Sequence, residues 1–214
     1  MVTGSKTLEV KELTKQYLQD FERLLRLVDV NAIERIAARL AKARENGSTV
    51  FVAGNGGSAA IASHWVNDLG KATKCSGHTP MRVMSLSDNV SWLTALANDE
   101  GYERVFSGQL ENFARSGDVL VVISSSGNSL NLVQAVELAK TRGVITIAFL
   151  GFDGGILKHK SDDYLLLPTE KGAYGLVEPG HEMICHLLTK CLAEATPITP
   201  GSRQEEHVRP LPMQ

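Results

Sequence analysis

The chain has 214 residues, with 22 Lys and Arg against 24 Asp and Glu and a formal net charge of −2. That length suits one domain with a substantial core. The balanced charge leaves no basic block to draw nucleic acid, and no apolar run approaches the roughly 20 residues that span a bilayer.

Met1 to Val10 carries charges and lacks an apolar h-region, so it does not read as a secretory signal. Cys75, Cys185 and Cys191 form no metal-finger spacing, and the last two fall in one apolar helical pattern. Together these features fit a reduced, cytoplasmic setting.

Two helical patterns open the chain within residues 1–47. The first, roughly 7–28, places Leu13, Tyr17, Phe21, Leu24, Leu25 and Val28 at helical spacing. The second, roughly 31–46, does so with Ile33, Ile36, Ala37, Leu40 and Ala43, with Asn31 as its expected N-cap and Asn46-Gly47 as its stop. The pair exceeds what one small sheet must cover, which makes the apolar stripes candidates for an oligomer interface. Strands are then expected near 49–53, 82–86, 119–123, 144–150 and 163–167. Helices are expected near 58–70, 89–97, 103–115 and 129–142, with a short one after Gly155 and a last one from about Pro179 to Ala195. Apolar strands alternating with helices predict an α/β fold whose parallel sheet is covered on both faces. The single domain ends near 195, and the proline-rich, polar tail 196–214 is expected to be unstructured.

Two strand-to-helix turns carry the chemistry. Gly54-Asn55-Gly56-Gly57-Ser58 lets the backbone adopt positive φ and approach a ligand closely. It lacks the G-x-G-x-x-G spacing, and no acidic residue stands about 20 residues on for a ribose. The second turn, Ser124-Ser125-Ser126-Gly127-Asn128-Ser129, brings hydroxyl donors to a helix amino terminus, where unpaired N–H groups and the helix dipole favour an anion. It has no lysine and is not a nucleotide P-loop. A serine-capped helix start would look the same in isolation. Two such turns at the carboxyl ends of strands suit a sugar phosphate better than a dinucleotide.

His64 and Asp68, at i and i+4, share one helix face, a pairing that can bind metal or act as acid and base but also occurs on ordinary surface helices. The last helix adds Glu178, His181, Glu182 and His186. Glu178 precedes Pro179, so it is expected at the N-cap, pointing into a site, with His186 two turns along near the same side. Glu182, also at i and i+4 from His186, is a rival partner. H-E-x-x-x-H is one residue too long for the zinc-protease H-E-x-x-H.

Gly-Asn-Gly-Gly-Ser, His64-x-x-x-carboxylate, Ala97-Asn98-Asp99, Ser-x-Ser-Gly-Asn-Ser, Asp153-Gly-Gly and a C-terminal helix with His186 occur in this order. In them the chain, from about Leu8 to Glu194, resembles the bacterial phosphoheptose isomerases of the sugar-isomerase (SIS) domain group. The resemblance implies a flavodoxin-like five-stranded parallel sheet and a homotetramer with active sites between subunits. It also implies one zinc ion per subunit and conversion of sedoheptulose 7-phosphate to D-glycero-D-manno-heptose 7-phosphate through an enediol. It assigns substrate contacts to Asn55, Gly56, Gly57, Ser58, Asn98, Asp99, Ser124, Ser125, Ser126 and Ser129, and metal positions to His64, Asp68, Glu178 and His186.

The family usually has glutamate at Asp68, glutamine at Glu178 and arginine at Ala72, although Lys71 and Lys74 flank that place. With two acids, the site would neutralise zinc fully and make it a weaker Lewis acid. The base is Asp68 by position or Glu178 by reach, the resemblance favouring Asp68, with His186 handling oxygen protons. Other readings are a non-catalytic relative that binds a replication initiator, an isomerase of another sugar phosphate, or a sugar-phosphate-sensing regulator. Asp68 and His186 favour catalysis, and no DNA-binding segment is visible.

Overall fold

Residues 9–74 and 78–194 are described by a computed structural model of the chain; Cys75 and the tail 196–214 lie outside them. Two helices, α1 (Val10–Leu25) and α2 (Val30–Glu45), precede β1 (Thr49–Gly54), α3 (Gly57–Lys71), β2 (Arg82–Ser85) and α4 (Val90–Asp99). A 3-10 turn at Tyr102–Arg104 leads to α5 (Ser107–Phe113), β3 (Val119–Ser124), α6 (Leu130–Thr141), β4 (Ile145–Phe152), α7 (Leu157–Lys160), β5 (Asp163–Pro168) and α8 (Tyr174–Glu194). The five strands pair in parallel in the order β2-β1-β3-β4-β5, the flavodoxin-like arrangement.

Every residue of β3 is buried, as a central strand covered on both faces must be. One core packs α2, α3 and α8 on the sheet around Ile36, Leu40, Trp65, Leu69, Phe149 and Leu188. The other packs α4, α5 and α6 around Phe51, Phe106, Leu110, Leu120 and Leu132. Burying side chains of this size contributes roughly 1.5–3 kcal/mol each.

The strands and most helices fall within a residue or two of the expected places, and four expectations are corrected. Asp29, not Asn31, caps α2; its carboxylate accepts the Asn31 and Ala32 N–H groups at 2.9 and 3.2 Å. The second apolar stripe belongs to the core: Ile33, Ile36, Leu40 and Ala43 are buried there, while α1 buries only Leu24. The helix expected over 103–115 is split, because Gly101 at φ 102° starts a tight turn and Ala114 is already extended.

The last helix begins at Tyr174, so Pro179 lies inside it and Glu178 is not its N-cap. A proline leaves the carbonyl four residues earlier without its helical donor. Here that carbonyl belongs to Gly175, and the Tyr17 hydroxyl of α1 donates to it at 2.7 Å. The helix therefore runs through the proline, and α1 is tied to its first turn.

His181, on α8, is fully buried against Phe149, with ring centroids 6.3 Å apart, and neither nitrogen makes a hydrogen bond of acceptable geometry. Burial pushes its imidazole down from 6.5 to about 4, opposed only weakly by the Leu150 backbone. The unfolded chain then binds a proton that the folded one refuses between those values, so stability is full above about pH 6.5 and falls as pH drops toward 4. From pH 7 to 5 this one group is expected to remove about 2 kcal/mol. Urea titrations at both pH values will show that share of the loss in the wild type and not in His181→Gln.

Candidate functional site

The two glycine- and serine-bearing turns leave adjacent strands at their carboxyl ends and diverge. β1 leads to α3 on one face of the sheet, and β3 leads to α6 on the other. Such a switch point opens a crevice for ligands.

The serine loop is locked from within. Ser124 Oγ accepts the Gly127 N–H at 3.0 Å, and Ser126 Oγ accepts the Asn128 N–H at 3.3 Å. The Asn128 Oδ1 accepts the Ile156 N–H and the Gly127 carbonyl accepts the Leu157 N–H, both at 3.0 Å. The loop is thus clamped to the segment after β4. Ser129 starts α6 without using its hydroxyl as a cap. The Ser125 hydroxyl is buried and unpartnered, a state that costs about 1–3 kcal/mol unless a ligand supplies a partner.

These residues line a cleft of about 140 Å³ with Asn55, Ser58, Tyr174 and Glu178. The Asn55 and Asn131 amides donate to each other at 3.0 and 2.9 Å, and the Tyr102 hydroxyl donates to Asn55 Oδ1 at 2.9 Å. The first turn is thereby joined to the start of α6. Gly57 is required by close approach: a Cβ there would lie 2.5 Å from Glu178 Oε2. The Glu178 carboxylate therefore sits over the positive amino end of α3, beside the serines.

Asn98 and Asp99 end α4 and pair with each other, Nδ2 donating to Oδ1 at 2.7 Å. They do not line this cleft within the same chain.

Further along the α3–α8 contact lies a second group. Trp65, packed on Phe149 at 5.3 Å, donates its indole N–H to Thr189 Oγ1 at 3.2 Å in the core. That buried bond sets the rotation of α3 against α8, and it turns His64 and Asp68 toward Glu182 and His186. His64 Nδ1 pairs closely with Glu182 Oε1, and its Nε2 lies 3.6 Å from Asp68 Oδ2. His186 Nδ1 is 3.1 Å from Asp68 Oδ2, and its Nε2 is 3.6 Å from Glu182 Oε1. Two imidazoles, 5.0 Å apart edge to face, thus alternate with two carboxylates. One ligand atom from each of His64, Glu182 and His186 lies within 4.8 Å of the others.

Imidazole nitrogens and carboxylate oxygens are donors that zinc accepts, so the set fits that ion chemically. The structure brings three of the four expected metal residues, His64, Asp68 and His186, together. Glu182 joins them, and Glu178 stands one helical turn earlier, toward the serines. The i, i+4 spacing of 178, 182 and 186 puts all three on the face toward α3.

Cys185 lies under this group. Burial, and then the negative charges of Glu182 and Asp68, push its thiol well above the usual range, so it stays protonated and unreactive. Tyr102, Asn131 and Tyr174 were not expected at the site. Each comes from an element whose sequence signal concerns only its own backbone.

A family model for the SIS domain matches residues 16–151. A phosphoheptose isomerase of Citrifermentans bemidjiense is 40% identical over 157 residues, covering 73% of this chain and 80% of that one. One from Helicobacter pylori is 36% identical over 182 residues, covering 85% and 89%. The solved structure of the phosphoheptose isomerase from Neisseria gonorrhoeae superposes with a TM-score of 0.79 at 29% identity, over 86% of this chain and 98% of that one.

Proposed function

The chain belongs to the SIS-domain family, among relatives of the phosphoheptose isomerases, and on that premise we propose that it interconverts sedoheptulose 7-phosphate and D-glycero-D-manno-heptose 7-phosphate. The observation that carries the proposal is the placement, along the α3–α8 contact, of a serine-lined cleft at one end, a carboxylate in its lining, and an imidazole–carboxylate cluster beyond.

The phosphate takes the serine loop, where the Ser125 hydroxyl and the free N–H groups at the start of α6 become its donors. The open-chain sugar then extends so that its carbonyl end, five carbons from the phosphate-bearing one, lies between the Glu178 carboxylate and His186.

Glu178 takes the proton from the carbon beside the carbonyl. The electron pair forms the carbon–carbon double bond of an enediol as the carbonyl oxygen gains a proton. Return of the proton from Glu178 to the neighbouring carbon gives the isomer. Glu178 is preferred over Asp68 because it lines the cleft, whereas Asp68 is held by both imidazoles. His186, more than half exposed, moves protons between the two sugar oxygens. Zinc at the imidazole cluster would polarise those oxygens and stabilise the enediolate.

The working form in this reading is a homotetramer with sites between subunits, supported by the uncovered apolar face of Val10, Leu13 and Leu18 on α1.

Turnover of sedoheptulose 7-phosphate by zinc-loaded protein in deuterium oxide tests the proposal. Formation of the aldose, with solvent deuterium at the carbon that receives the proton, is expected. Tight binding without turnover would overturn it in favour of a binding module. Faster turnover of a shorter sugar phosphate would overturn the choice of substrate.

A further inference from the structure

Glu182 has no part in the proton transfers above, yet it touches both imidazoles. Its Oε1 pairs closely with His64 Nδ1 and lies 3.6 Å from His186 Nε2. The remaining nitrogens, His64 Nε2 and His186 Nδ1, turn to Asp68 Oδ2 at 3.6 and 3.1 Å. Each ring thus has one nitrogen toward each carboxylate, and only one side can hold an ion.

Among the described residues, the trio that meets within 4.8 Å is the one containing Glu182. A metal-binding histidine usually gives its other N–H to a carboxylate, which fixes its tautomer and orientation. Asp68 stands where it would do this for both rings at once. Two imidazoles and one carboxylate also form a known three-ligand zinc set that leaves a fourth position for water or substrate.

We infer that Glu182 is the carboxylate ligand of a metal site made with His64 and His186, and that Asp68 is an outer partner orienting the two imidazoles. The inference rests on reading the cluster as a metal site and is independent of which sugar is turned over. It releases Glu178 from the metal. Its carboxylate lies over Gly57 at the serine cleft, one helical turn before Glu182.

The test is metal affinity, read without turnover. Full-length wild type, Glu182→Gln, Asp68→Asn and Glu178→Gln are stripped with chelator, checked for equal melting in the metal-free form, and titrated with zinc against a chromogenic chelator. Glu182→Gln is expected to weaken zinc binding by more than about 100-fold and Asp68→Asn by about 10-fold, the outer-partner range. Glu178→Gln should stay within about threefold, since its carboxylate lies outside the trio.

The cobalt(II) form gives an independent readout: its visible bands should change in Glu182→Gln and persist in Glu178→Gln. A larger loss in Asp68→Asn than in Glu182→Gln would exchange the two roles and overturn the inference. Loss in Glu178→Gln with Glu182→Gln unaffected would overturn it as well, as would a wild type that retains no zinc. Sedoheptulose 7-phosphate turnover, measured on the same wild-type sample, separates these failures from failure of the isomerase reading.

Discussion

Glu178→Gln is expected to lower kcat for sedoheptulose 7-phosphate by about 10²–10⁴-fold, the range for loss of a positioned acid–base group. Glutamine preserves the shape of the side chain over Gly57 and its ability to hydrogen-bond, but it cannot accept a proton from carbon. KM should not rise, because in the proposed mode the serine loop takes the phosphate and the variant removes a negative charge from the same cleft. Steady-state kinetics, paired with loss of solvent deuterium from the product, check both halves. Full activity in Glu178→Gln, with activity lost in Asp68→Asn of unchanged metal content, would transfer the base to Asp68.

Gly127→Ala is expected to fail earlier, at the loop itself. Gly127 has φ 63°, and a Cβ built there would run into the Gly154 carbonyl. Strain in the left-handed region and the forced displacement together cost about 2–5 kcal/mol. Relief requires the loop to leave the Gly154–Gly155 segment, which breaks the Gly127–Leu157 and Asn128–Ile156 bonds. Ser125, Ser126 and Ser129 then no longer converge. The urea midpoint should fall accordingly, and millimolar inorganic phosphate should protect the wild type against thermal unfolding but not the variant. A variant that keeps phosphate protection would show that the clamp is dispensable.

The particular elements show where sequence reading reaches and where it stops. The strands are legible because each is a short apolar run ended by a turn, and a buried parallel sheet leaves the chain few other ways to hide them. The turn after β3 is legible as a candidate anion site because its hydroxyls, glycine and helix start are contiguous. The start of α8 is not. Pro179 reads as a first helical residue, and nothing near it reveals that Tyr17, far away in α1, supplies a donor to Gly175. The second apolar stripe is legible as a stripe, but whether it meets a partner or the sheet depends on how much sheet α3 and α8 leave uncovered.

By itself the sequence determined the fold class and offered the two turns, the His64–Asp68 pair, and Glu178, Glu182 and His186 as candidates. These follow from residue type, periodicity and spacings along one backbone, whereas the choice of His64, Asp68, Glu178 and His186 as the metal set is what the resemblance to the phosphoheptose isomerases implies. Only the tertiary structure decided which carboxylate meets which ring nitrogen. That choice is set by the rotation of α3 against α8, held by the Trp65–Thr189 bond and the packing of Phe149. The physical reason is the helix period: with residues 178, 182 and 186 all on one face, a small rotation or shift changes which of them reaches His64. Local spacing names the candidates, but long-range packing chooses among them.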